Sequence, residues 1–208
     1  MVKKAMDAQA IERERSRILA QAQCVLEQGD FRDISMRKLA GKLGFTATTI
    51  YRYFASKEEL FLSLLVVGFT RLYEGIAARI ADKQPVCERL QAALEEYIRF
   101  GIEEKGYYNI MFASEYPECR KYKDPRETVL SMEAERISFG IVELIGEAVV
   151  QAGGDEDDPP QSRIAAAWAM LHGFVSLYNC GMLANVAGDM KAARLGFVQR
   201  VMALLCPN

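Results

Sequence analysis

Histidine and tryptophan are nearly missing, at one residue each in 208, and proline occurs six times. A single imidazole, His172, excludes any site built on two histidines, and with it the commonest zinc and iron arrangements. No Ser-His-Asp grouping and no glycine-rich phosphate loop can be assembled, so the chain is not expected to be an enzyme. The five cysteines, Cys24, Cys87, Cys119, Cys180 and Cys206, are odd in number and far apart, with no Cys-x-x-Cys. That argues against a disulfide framework and a structural zinc site; no metal and no cofactor is expected. The first residues (Met-Val-Lys-Lys-Ala-Met-Asp) lack the apolar stretch of a signal peptide. No apolar run reads as membrane-spanning, which leaves the reducing cytoplasm as the expected setting and no membrane as partner.

Half of the residues are hydrophobic, enough for one domain with a substantial core or two small ones. The net charge is only −2, but it is unevenly spread: residues 1–60 hold 11 Lys/Arg against 8 Asp/Glu, and the remainder 15 against 20. A mildly basic head on an acidic body fits a nucleic-acid-binding head with a body that does something else. Apolar residues recur at helical spacing throughout. The expected fold class is all-α, with about nine helices: a three-helix head containing a helix-turn-helix, then a helical body.

The chain is organised around residues 35–57. Ser35 caps a helix that runs to Leu43, with Leu39, Ala40 and Leu43 on one face, and Gly44 ends it. Thr46 caps a second helix from Ala47 to Tyr53. Ile50 and Phe54 point inward, and Ala47, Thr48, Thr49, Tyr51, Arg52 and Tyr53 cover the rest. Small, hydroxyl-bearing and cationic side chains suit base edges and phosphates, and the geometry is that of a helix-turn-helix whose second helix enters the major groove. Ser56 then caps a long helix with Glu58 and Glu59 in its first turn. Lys57 is out of place there unless an anion such as a DNA phosphate lies in front of it.

The string Arg37-x-Leu39-Ala40-x-x-Leu43-Gly44-Phe45, followed by Thr49-Ile50-Tyr51-Arg52-Tyr53-Phe54-x-Ser56-Lys57-Glu58-x-Leu60, resembles the N-terminal DNA-binding domain of the TetR family over about residues 11–65. The resemblance implies a DNA-binding domain over 1–57 and a ligand-binding and dimerisation domain over 58–208. It implies that Lys57 touches phosphate. Ser35, Arg37, Thr46, Ala47, Thr48, Thr49, Tyr51, Arg52, Tyr53 and Lys57 are the expected DNA-binding residues, with Arg37, Thr46, Tyr51 and Lys57 on phosphates and Thr48, Thr49 and Arg52 reading bases. Many family members carry glycine or proline where Thr48 stands.

In the head, the first helix (Ala10 to Gln28, ended by Gly29) buries Ile11, Ile18, Leu19, Ala22, Val25 and Leu26, with Phe31 and Ile34 stapling the next loop. Arg13, Arg15 and Arg17 lie outside that stripe, on a solvated face or near a phosphate. The long helix after Ser56 continues to about Asp82 as a rod. In the body, Pro85 opens the next helix, and Tyr107 to Ala113 form a short apolar one. The helix from Arg126 to Gln151 turns Val129, Met132, Ile137, Ile141, Leu144, Ile145 and Ala148 inward. Gln161–Ala187 and Met190–Leu205 are apolar nearly all round, which points to pairing with their copies in a symmetric four-helix interface; the alternative is a monomer with these two helices at its centre. Ala165, Ala169, Gly173, Ser176, Cys180, Ala193, Gly196, Phe197 and Leu204 are the expected dimer residues.

Tyr97, Phe100, Tyr107, Tyr108, Met111, Phe112, Met132, Phe139, Trp168, His172 and Tyr178 are either core or the wall of a pocket for a small apolar or aromatic ligand. Trp168 with His172-Gly173 resembles a Trp…His-Gly pattern in the C-terminal domain of one TetR subgroup. His172 itself reads as a buried histidine near the dimer seam or as a ligand contact. Cys119, beside Arg120, Lys121 and Lys123, reads as an inert loop cysteine, with thiol activation as the alternative. The expected function is a dimeric, ligand-responsive repressor of a palindromic operator. The alternative is an architectural DNA-binding protein of the same fold without small-molecule control.

Overall fold

A computed structural model describes residues 8–26, 35–80, 85–112, 121–154 and 157–207. Among these residues the chain is all-α, as expected: α1 (Ala8–Leu26), α2 (Met36–Leu43), α3 (Ala47–Tyr51), α4 (Lys57–Ile80), α5 (Val86–Glu103), α6 (Lys105–Phe112), α7 (Pro125–Gln151), α8 (Pro160–Asn179), α9 (Met182–Ala187) and α10 (Met190–Leu205). Ten helices replace the expected nine because the run from Gln161 to Ala187 breaks at Gly181, whose φ of 78° is left-handed. Two hydrogen bonds hold the break: Lys105 Nζ donates to the Asn179 carbonyl at 2.9 Å, and Asn179 Nδ2 to the Gly101 carbonyl at 2.8 Å. Gly29, Phe31, Ile34 and Cys119 lie outside the described residues.

The helices form two compact units, one through Gly68 together with Gly106–Glu135, the other Phe69–Lys105 together with the chain from Arg136 onward. In the first, Ile18, Ala22, Leu39, Ile50, Phe54, Leu60, Leu64 and Leu65 are buried, while Ile11, expected inside, is exposed. Gly68 of α4 lets α6 approach: a β-carbon there would stand 2.8 Å from Met111 Sδ and 3.2 Å from the Tyr107 ring. By length and composition α4 is apolar enough to cross a membrane, contrary to the sequence reading. Half of that window is buried in protein, and Leu60, Leu64, Leu65, Leu72 and Ile76 are core residues. Its apolarity is thereby accounted for by packing. On α7, Val129 and Met132 face outward, and Ser131 and Ala134 take the inward positions.

In the second unit α8 buries Arg163, Ala167, Leu171, Phe174 and Val175, and α10 buries Val198, Val201 and Leu205. Phe174 stacks on Phe197 with centroids 4.5 Å apart. Cys87 and Cys206 are joined by a disulfide, their Cα atoms 6.0 Å apart, a single cross-link where the spacing argued against a disulfide framework. Their separation of 119 positions hides a pairing that only the fold creates. Cys24 and Cys180 are free and exposed.

Glu96 is a buried carboxylate on α5, seated where Gly75 leaves no side chain in its way: a β-carbon on Gly75 would lie 2.5 Å from Oε1. Arg99 donates to it from Nε at 2.9 Å, and Arg79 stands at 3.7 Å. The hydrogen bond from Arg99 is the main reason its pKa lies below the ordinary carboxylate value; burial opposes the shift, and the charges of Arg99 and Arg79 add to it. A depressed folded pKa contributes stability that is present above the unfolded value and lost as pH falls through the folded one. Melting midpoints measured from about pH 7 down to about pH 3 should therefore fall more steeply for the wild type than for Glu96→Gln. Parallel curves would show that Glu96 contributes nothing to acid sensitivity.

Candidate nucleic-acid interface

The turn between α2 and α3 is built by local capping. Ser35 Oγ accepts from the Lys38 N–H at 3.1 Å, Gly44 takes the left-handed position at φ 68°, and Thr46 Oγ1 accepts from the Thr49 N–H at 3.1 Å. Each side-chain cap is worth about 1 kcal/mol. Ile50 and Phe54 are fully buried and fix the side of α3 that faces the core. The opposite side is open: Thr46, Thr48, Tyr51 and Arg52 are exposed, Tyr51 to 50%. Ala47, Thr49, Tyr53 and Lys57 are half-buried, and Ser35 and Arg37 are exposed on the approach to α2. α3 ends at Tyr51, two residues earlier than expected, with Arg52 as its C-cap.

Three expected DNA contacts, Thr46, Thr49 and Tyr53, also have structural work. The hydroxyls of Thr46 and Thr49 are hydrogen-bonded to each other at 2.9 Å. The Tyr53 ring stacks on Phe45 with centroids 6.4 Å apart and planes 20° from parallel. Lys38 and Lys42, not among the expected contacts, are exposed on α2 beside Arg37; their place on its polar side was the available signal.

Of the arginines of α1, Arg13 lies on the solvated face, one of the two expectations, whereas Arg15 and Arg17 bond back onto the protein. Arg15 lies over the Phe54 ring at 4.2 Å, donates to the Tyr53 carbonyl and pairs with Glu59 at 3.0 Å. Arg17 lies over Phe45 at 4.8 Å and donates to the Leu43 carbonyl at 3.2 Å. They clamp α1 onto the two ends of the helix-turn-helix. Glu59, almost fully buried, completes the clamp by accepting from the Ala55 N–H at 2.6 Å. At the start of α4, Ser56 Oγ accepts from the Glu59 N–H at 2.8 Å while its hydroxyl donates to Glu127 Oε1 at 2.6 Å. The first turn of α7 thus holds the cap beside Lys57. Burial raises the nearby Tyr122 phenol above its usual range, and the charges of Glu127 and Glu58 raise it further.

A family model described as bacterial regulatory proteins, tetR family, matches residues 18–64. A second, described as the tetracyclin repressor-like C-terminal domain, matches residues 90–200, more than half of the chain. The chain belongs to the TetR family. As such it is a DNA-binding transcriptional regulator and not an enzyme. The HTH-type transcriptional activator FasR of Mycolicibacterium smegmatis is 25% identical over 105 residues, which are 50% of this chain and 48% of FasR. The chain thus matches about half the length of that relative. A crystal structure of the regulatory protein SCO4313 shares the fold with a TM-score of 0.73 at 16% identity, covering 95% of this chain and 98% of that one. A structure of AibR in complex with isovaleryl coenzyme A and operator DNA does so with a TM-score of 0.66 at 17% identity, covering 93% and 98%.

In the first unit Tyr107, Tyr108 and Met111 are buried on α6, Phe112 is half-buried with its ring 4.9 Å from that of Tyr108, and Met132 is exposed. In the second, Tyr97 and Phe100 are buried, His172 is half-buried, and Phe139, Trp168 and Tyr178 are exposed. Met132, Phe139, Trp168 and Tyr178 therefore line no interior of the protomer. Of the expected dimer residues, Ala165, Ala169, Ser176 and Cys180 are exposed along one face of α8, bordered by Trp168, which is 53% exposed. Gly173, Ala193, Gly196, Phe197 and Leu204 are half-buried. Leu177, Met182, Val186 and Leu195 add further exposed apolar surface on α8, α9 and α10.

Proposed function

We propose that the chain is a ligand-responsive repressor that binds a palindromic operator as a homodimer. Residues 1–57 form its DNA-binding domain, and residues 58–208 bind ligand and form the dimer. The observation that carries the reading is the exposed face of α3, Thr48-x-x-Tyr51-Arg52, flanked by Arg37 and by Lys57 at the start of α4. Arg37, Thr46, Tyr51 and Lys57 position phosphates; Thr48, Thr49 and Arg52 read bases. Ser35, Ala47 and Tyr53 shape the approach. The exposed small-residue face of α8 supports the homodimer, since it permits close helix approach once a second copy covers it.

The effector is a small, largely apolar or aromatic molecule. It is released from or captured by a protein with two states, and it lowers operator affinity only by its preference for one of them. Within the first unit the route is short. α6 packs into the space left by Gly68 of α4, and Glu127 of α7 holds the Ser56 cap next to Lys57. A shift of α6 or α7 therefore moves the start of α4. A structural neighbour, AibR, is known in complex with isovaleryl coenzyme A and operator DNA, a precedent on this fold for a regulator that takes both a small molecule and an operator. FasR carries the name of an activator, and that observation favours activation as the second reading of the same DNA-bound dimer.

Two substitutions test the assignment. Arg52→Ala should relax sequence preference, with operator and mutated-operator affinities converging by about 1–3 kcal/mol. Lys57→Ala should weaken all DNA sequences alike and flatten the dependence of affinity on salt by about one phosphate contact. Unchanged binding by Lys57→Ala at moderate salt would sink the phosphate role.

A further inference from the structure

We infer that Cys87 and Cys206 form a reversible disulfide, a thiol–disulfide sensor that fastens the C-terminus of α10 to the first turn of α5. The two residues meet only in the folded second unit. They are 119 positions apart in sequence, and their Cα atoms lie 6.0 Å apart, inside the range a bridge requires. Cys87 is the second residue of α5 and Cys206 is the C-cap of α10, so both sit on helix ends whose backbone positions are set by regular structure. Both side chains are partly accessible, so a small disulfide reaches them.

The surroundings make the bridge consequential. Arg163, buried on α8, donates to the carbonyl of Leu205, the residue before Cys206, at 3.3 Å. Arg89, two residues after Cys87, donates to Gln151 at the end of α7 at 2.8 Å. Oxidation therefore ties the ends of α5 and α10 together where α7 and α8 also anchor. Reduction leaves the last turn of α10 held by its own helix and by Arg163.

A DNA-binding regulator works where glutathione keeps thiols reduced, and disulfides in that compartment are mostly transient or redox-sensing. The bridge is made by exchange with a low-molecular-weight disulfide. One cysteine thiolate attacks oxidised glutathione, forming a mixed disulfide and releasing one glutathione thiolate. The second cysteine thiolate then displaces the other glutathione. Both cysteine protons pass to solvent or to the released thiolates, and the two electrons end on the two glutathione molecules. The inference rests on the DNA-binding reading only for its compartment, and its test uses no DNA.

The full-length triple variant Cys24→Ser/Cys119→Ser/Cys180→Ser retains only this pair. It is equilibrated in reduced and oxidised glutathione at graded ratios, quenched with an alkylating agent, and read by mass spectrometry and thermal melting. The expected result is joint protection of Cys87 and Cys206 in oxidising buffer, with a melting midpoint raised by about 5–15 °C. Both effects should reverse as reduced glutathione is restored, and adding Cys206→Ser should abolish both while leaving the reduced midpoint in place. Two results overturn the inference. In one, the cysteines stay alkylatable or take up glutathione singly in oxidising buffer. In the other, the bridge persists at every ratio, which makes it a static cross-link.

Discussion

Arg15→Ala should lower the stability of the N-terminal unit by about 2–4 kcal/mol, a little under the loss typical of breaking a fully buried ion pair. The change removes the 3.0 Å ion pair with Glu59, the hydrogen bond to the Tyr53 carbonyl and the cation over the Phe54 ring at once. The larger part of the loss comes from Glu59, whose side chain is only 4% exposed and is left without its guanidinium partner. The Ala55 N–H and the α4 dipole soften that loss but do not replace a guanidinium. Urea unfolding followed by circular dichroism should show the cost, and DNA affinity should fall with it because the clamp closes on the end of α3. Arg13→Ala is the control. Among the described residues Arg13 reaches only the Gln9 carbonyl, on the exposed side of α1, so the stability of that variant should stay within about 0.5 kcal/mol of wild type. Equal losses from the two variants would contradict the clamp.

If the proposed homodimer forms through α8, Trp168→Glu should leave the protein monomeric. The indole borders the exposed Ala165, Ala169 and Ser176 face of α8, and a carboxylate facing its own symmetry copy there meets both desolvation and like charge. The protomer itself should fold normally, because a side chain 53% exposed contributes little to its core. Sedimentation velocity should report the halved mass. Operator affinity should fall by about 10²–10⁴-fold, as two linked half-site contacts become one. A dimer of unchanged mass would place the interface elsewhere, on another of the exposed apolar surfaces such as that of α7.

What could be read from the chain alone was mostly what is local. The caps at Ser35, Thr46 and Ser56 and the left-handed Gly44 depend on residues within four positions, and all four are formed. The inward Ile50 and Phe54 follow from helical spacing in the same way. Arg15 escaped because its partners, Tyr53 and Glu59, are 38 and 44 residues away; an arginine outside an apolar stripe looks solvated until the fold brings a carboxylate to it. Val129 and Met132 were assigned inward because α7 carries apolar residues on two faces, so its pattern does not say which one meets the core. The break at Gly181 was hidden inside an apolar run whose glycine could equally have stayed helical; the bonds from Lys105 and Asn179 decide it. The bridge between Cys87 and Cys206 is a property of topology, and no spacing rule reports it.

DNA selected from a random pool by the full-length protein, with footprinting of the winning sequence, would reveal the operator itself. An inverted repeat is expected, its two halves about one helical turn apart, roughly 34–36 Å. One dimer should protect both halves, and Arg52→Ala should erase the preference. Selection of no consensus, or of a single asymmetric site protected by one protomer, would contradict the proposed function.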